Sequence, residues 1–175
     1  MERSWEQQRK RMARRQAVLN EIHFTHDRMA RLLRAMMARE GKGHFGALID
    51  EQHAHELKAL RGIVSLALDL GTPPGPCVCA EGAALVEAIY NADRLPRADV
   101  NRVLRIQERL LEARRSIIGL WSRLADEVKQ DHHDQELYPT IIRYQSLEAD
   151  QHRSIVRSIA RTGNSHDVDG MMRSA

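Results

Sequence analysis

The chain has 175 residues, 42% hydrophobic but only 4% aromatic, with a formal charge of +3. That length suits one domain able to bury roughly 70% of its unfolded surface without disulfides or a structural metal, so a metal would serve function rather than rescue the fold. Five prolines and ten glycines against abundant Leu, Ala, Arg, Glu and Gln favour an all-α protein, no apolar run approaches the ~20 residues that span a bilayer, and the absence of a secretory apolar core makes the cytoplasm the expected location.

The first helix is predicted from near Trp5 to about Arg39, ending at Gly41-Lys42-Gly43. Its early run RKRMARRQ, residues 9–16, carries much of the excess positive charge. Such a run on a helix is ordinarily a solvated face, so no nucleic-acid partner is expected. Further along, Leu19, Ile22, His26, Met29, Leu33 and Met36 share one face, interrupted by His26.

The second helix is predicted from about His44 to Leu70, stopped by Gly71-Thr72-Pro73-Pro74-Gly75-Pro76. Its apolar face runs through Phe45, Ile49, His53, Glu56, Leu60, Ile63 and Ala67, broken by His53 and Glu56. Asp50 lies one turn before His53 and reaches the same side. Cys77 and Cys79 follow as a lone Cys-Val-Cys, which in a reducing compartment implies free thiols. Residues 80–91, AEGAALVEAIYN, suggest a short helix, and Pro96 closes the connection.

Asp99 is a plausible N-cap for a third long helix reaching about Val128. Its apolar face is read through Leu104, Leu111, Ile118 and Leu124, with Glu108 and Glu112 at the margin and Arg114 and Arg115 nearby. KQDHHDQ makes a turn, Pro139 fits the first turn of a fourth helix, and Gly163 ends it. Residues 1–163 then form the domain and 164–175 a disordered tail. On the fourth helix the face reads Ile141, Gln145, Glu148, His152, Ile155 and Ile159, so three polar groups interrupt it.

Short links within each helix pair and a longer crossover between the pairs are the ferritin-like arrangement of a four-helix bundle, here with a short fifth helix in the crossover. At 1.5 Å per residue from the first turn, His26 falls at the height of His53 and Glu56. A carboxylate buried without a partner costs several kcal/mol, so Glu56 or Glu148 inside the bundle needs a cation. Arg114 or Arg115 is one source of that charge. A divalent metal held by His nitrogens and carboxylate oxygens is the other.

Bundles that hold two iron or manganese ions use a Glu-x-x-His pair on two of their helices. Asp50-Glu51-Gln52-His53 resembles one such pair, and Asp150-Gln151-His152 echoes it with Ala149 where a carboxylate is wanted. The segment LRGIVSLALDLGTPPGPCVCAEGAALVEA, residues 60–88, resembles the stress-associated ferritin-like family typified by YciE and YciF. There a helix ending in Leu-Gly leads through a Pro-containing loop into Cys-x-Ala-Met-Glu-Gly. Cys77, Glu81 and Gly82 fit that frame, with Cys79 in place of the Ala and Ala80 in place of the Met. The resemblance implies a ferritin-like homodimer with a two-metal site and a role in stress. On the first helix it places His26 where a ligand Glu is expected, and on the third it finds only Glu108 and Glu112. The candidate ligands are therefore His26, Asp50, His53, Glu56, Glu112, Glu148 and His152, holding iron or manganese, with ferroxidase-type chemistry as one outcome and no substrate named. The alternative is a metal-free interaction or dimerisation module whose buried polar layer is structural. His23-Phe24-Thr25-His26-Asp27 also resembles a hemerythrin first-helix motif, but no His lies between Asp99 and Val128 to complete it.

Overall fold

The computed structural model describes residues 2–40, 45–77, 79, 82–85, 87 and 100–172. Every regular element among them is helical: α1 is Glu2–Glu40, α2 Gly46–Asp69, α3 Val100–Lys129 and α4 Tyr138–Met172, with a 3-10 turn Gln135–Leu137 leading into α4. The glycines at 41 and 43 and the expected N-cap at 99 lie outside the described residues. No described helix is long and apolar enough to cross a membrane.

Each helix buries a stripe. Leu19, Ile22, Met29 and Leu33 of α1 meet Ile49 and Ile63 of α2, Leu110, Ile117 and Leu124 of α3, and Ile141 of α4 in one core. Fully burying such a side chain is worth about 1.5–3 kcal/mol, and this is the main force on the array. α1 packs on α2 and α3, and α4 packs on α3 and α2. α2 and α4 approach closely at Gly62, where a Cβ would lie 2.5 Å from the Tyr144 hydroxyl. Tyr144 in turn stacks on Trp121 of α3 with ring centroids 5.3 Å apart.

Side-chain pairs fix the helix directions. His26 meets Glu56, whereas Arg15, nearer the start of α1, reaches Asp134 beyond the end of α3. On α2 and α3, Gln52 pairs with Gln107 and Glu56 with Arg114, so these two helices run the same way. α2 and α3 are therefore joined by a crossover connection and not a hairpin.

That crossover begins with a built stop. Gly71 takes φ +66°, the left-handed region that glycine enters without a Cβ penalty. The Thr72 N–H then donates to Ala67 O at 2.8 Å and the Gly71 N–H to Leu68 O at 3.0 Å, the paired bonds of a Schellman cap. The chain crosses the outside of α1, where Asn20 Oδ1 accepts from the Gly75 N–H at 2.8 Å and Cys79 Sγ lies 3.5 Å from Thr25 Oγ1. Both cysteines are free thiols. Residues 82–85 and 87 are helical; the rest of the expected 80–91 helix lies outside the described residues.

Two features differ from the sequence reading. α4 does not stop at Gly163 but continues to Met172, so residues 164–172 are helical rather than a disordered tail. A single interior glycine costs only about 1 kcal/mol relative to alanine and ends a helix only when it adopts the left-handed cap. The buried line of α3 runs through Val103, Ile106, Leu110, Ala113, Ile117, Trp121 and Leu124, rotated by about one residue from the face read in the sequence. That rotation carries Arg114 inward and Glu108 and Glu112 outward.

Candidate functional site

One interruption from each of α1, α2 and α4 meets the others at one level of the core, and α3 supplies a cation to them. His26, Glu56 and Arg114 are fully buried and Glu148 is 3% exposed. Arg114 Nη2 donates to Glu56 Oε1, and its Nη1 donates to Glu148 Oε2 at 2.5 Å. The fork of the guanidinium thus bridges two carboxylates from two different helices, a geometry lysine cannot supply. His26 Nδ1 lies 2.5 Å from Glu56 Oε2, and its Nε2 faces Glu148 Oε1 at 3.6 Å. His55 Nε2 stands 2.9 Å from that same Glu148 oxygen. Every carboxylate oxygen of the pair therefore has a nitrogen partner.

The charges balance within the cluster. Burial alone would lower the His26 pKa, but Glu148 and Glu56 together outweigh it and hold the ring protonated above its ordinary range. Burial alone would raise Glu148, yet His26, the His55 hydrogen bond and Arg114 bring it down to about 2. Glu56 is likewise lowered, by Arg114 and His26 against its burial. Two carboxylates thus face one guanidinium and the His26 ring, whose protonated form they favour, so the cluster is an ionic knot whose anionic charge is met from within the chain.

Flanking polar groups extend the layer. Gln52 Nε2 donates to Gln107 Oε1 at 2.9 Å between α2 and α3, both side chains fully buried. On α4, Gln145 Nε2 donates to Ser122 Oγ at 2.6 Å. His152 accepts from Arg115 Nε at 3.2 Å. Burial, then Arg115, lowers the His152 pKa, so that ring is neutral and serves as an acceptor.

Of the seven sequence candidates, the structure brings together His26, Glu56 and Glu148. His53 is half-buried and stands outside the hydrogen-bonded cluster, while Asp50 and Glu112 are exposed. Glu112 pairs with Arg109 on the surface at 2.9 Å, and His152 belongs to the Arg115 contact. Sequence reading missed His55, which flanks the apolar stripe of α2 rather than interrupting it, and the Gln52–Gln107 pair.

A two-metal centre needs carboxylates and imidazoles converging on a common point with their lone pairs free. Here Glu56 and Glu148 converge on a guanidinium, and the Nδ1 of His26 is committed to Glu56. Among the described residues no three His, Cys, Asp or Glu side chains are placed to share a metal ion. The donor set therefore does not fit the iron or manganese pair.

A second ionic contact pins the far end of α1. Arg15, only 3% exposed, donates to Asp134 and, at 2.9 Å, to Asp131. It ties the turn before α4 to α1. No family model, curated protein or solved structure matches the chain.

Proposed function

We propose that this chain is a ferritin-like four-helix bundle whose metal layer is replaced by an internal ionic knot, and that it serves as a metal-independent helical interaction module that forms homodimers. The observation that carries the reading is Arg114: its guanidinium occupies the space between Glu56 and Glu148 that a bridging cation would need. Parallel α2 and α3 joined by a long crossover support the ferritin-like arrangement. Buried ion pairs of this kind contribute little net stability relative to apolar residues, but they penalise any packing in which a partner is missing. Their use here is to set one register for the four helices and so present one outer surface.

The test is elemental analysis and size measurement on protein purified without chelator and without a nickel-binding tag. The reading expects a dimer with iron, manganese and zinc far below one ion per chain. A stoichiometric transition metal in wild type would favour the ferroxidase-type reading instead.

A further inference from the structure

The strap that follows α2 lies along the outside of α1 and is pinned there at successive points. Gln16 Nε2 donates to Pro73 O at 3.3 Å, Asn20 Oδ1 accepts from the Gly75 N–H at 2.8 Å, and Thr25 Oγ1 meets Cys79 Sγ at 3.5 Å. Gly82 closes the run: a Cβ there would run into the Phe24 ring, so a larger residue would push strap and helix apart. The same glycine directs its N–H to Cys79 Sγ at 3.4 Å. The Cys79 sulfur is thus held by α1 on one side and by the strap's own backbone on the other, and Cys77 stands two residues before it. Both are free thiols and only half-buried, within reach of a small solute.

The two thiols are not equivalent. Burial, then the neighbouring Cys79 and Glu21, raise the Cys77 pKa, so Cys77 keeps its proton. Cys79 instead receives the Gly82 N–H and has the Thr25 hydroxyl beside it, contacts that orient its sulfur. Since the thiolate is the nucleophilic form of cysteine, attack on an electrophile falls to Cys79. We infer that Cys77 and Cys79 form a peroxide-reactive dithiol, with Cys79 the attacking and Cys77 the resolving thiol. The Cys79 sulfur, having lost its proton, attacks one oxygen of a hydroperoxide; an S–O bond forms as the O–O bond breaks, and the second oxygen takes up a proton and leaves as water. The Cys77 sulfur then attacks the sulfenic sulfur, the S–S bond forms as the S–O bond breaks, and the departing hydroxide carries off the Cys77 proton as a second water. Two thiols are oxidised and one peroxide is reduced. A ring closed over a single intervening residue is small, and strained disulfides are the readily reduced ones, so a dithiol reductant returns the pair to free thiols.

The test treats the full chain, reduced and freed of reductant, with equimolar hydrogen peroxide, then alkylates the remaining thiols and reads intact mass and non-reducing electrophoresis. Wild type should lose both alkylatable thiols to a disulfide within one chain and recover them with dithiothreitol. Cys77→Ser, with no resolving thiol, should accumulate a Cys79 sulfenic acid that dimedone traps. Cys79→Ser should consume its remaining thiol at least ~10-fold more slowly than Cys77→Ser does, with the same helical circular dichroism in both variants. A wild type that keeps both thiols after a free cysteine control has been consumed would overturn the proposal. So would disulfides formed only between chains, or a Cys79→Ser variant that reacts as fast as Cys77→Ser.

Discussion

Replacing Arg114 by methionine keeps most of the side-chain volume and removes the charge that two buried carboxylates share. Glu56 and Glu148 would each lose a charge-assisted hydrogen bond, and such bonds are worth about 1.5–3 kcal/mol apiece. The sum, about 3–6 kcal/mol, overlaps the ~3–5 kcal/mol measured when one partner of a buried pair is removed. In a chain of 175 residues each kcal/mol moves the melting temperature by about 2–4 °C, so a fall on the order of 10 °C or more is expected. Urea unfolding followed by circular dichroism gives the free energy directly. Adding Glu56→Leu and Glu148→Leu to Arg114→Met should recover most of the loss, because an apolar core of matching volume needs no counter-charge. If Arg114→Met alone costs less than ~1 kcal/mol, the guanidinium does not neutralise the pair and the reasoning is wrong.

The pH dependence follows from the same knot. His26 is raised above 6.5, so its contribution is fully present below that value and lost as pH rises through the folded pKa. Glu56 and Glu148 are lowered from 4.5, so theirs is present above that value and lost as pH falls, for Glu148 toward about 2. The stability gap between wild type and His26→Gln should be widest between pH 4.5 and 6.5 and shrink in alkali; a gap that grows with pH contradicts the assignment. His23 and His152 are lowered and act with the opposite sign, which is why the variant pair, and not wild type alone, reads out His26. Gly62→Ala should cost about 1–3 kcal/mol by overpacking, since its Cβ meets the Tyr144 ring. A neutral thermal melt for that variant would mean α2 and α4 sit farther apart than described here.

How much of this was legible in the sequence depended on periodicity. The glycine and proline punctuation located α1, α2 and the start of α4, because a left-handed residue such as Gly71 and an N-terminal proline such as Pro139 have fixed backbone roles. Gly163 carried no such constraint and misled. The polar interruptions His26, Glu56 and Glu148 were visible because each breaks a stripe that is apolar on both sides. α3 was harder, since its leucines and isoleucines support two neighbouring faces: Leu104–Leu111–Ile118, or Val103–Leu110–Ile117–Trp121. Only the second buries Arg114, and choosing it requires knowing what Glu56 and Glu148 face. His55 sits at a stripe edge, where polarity is expected, so nothing in the sequence marked it.

The central claim is that the cations of the polar layer belong to the chain itself. The most direct measurement is the unfolding midpoint of chelator-treated wild type with and without added ferrous iron, manganese or zinc. An ion that binds only the folded state raises stability by RT ln(1 + [L]/Kd), about 2.7 kcal/mol at a hundredfold excess over Kd. The account predicts no shift with any of the three metals, because Arg114 and His26 already hold Glu56 and Glu148. A midpoint that climbs with metal concentration, and falls back on adding chelator, would contradict it.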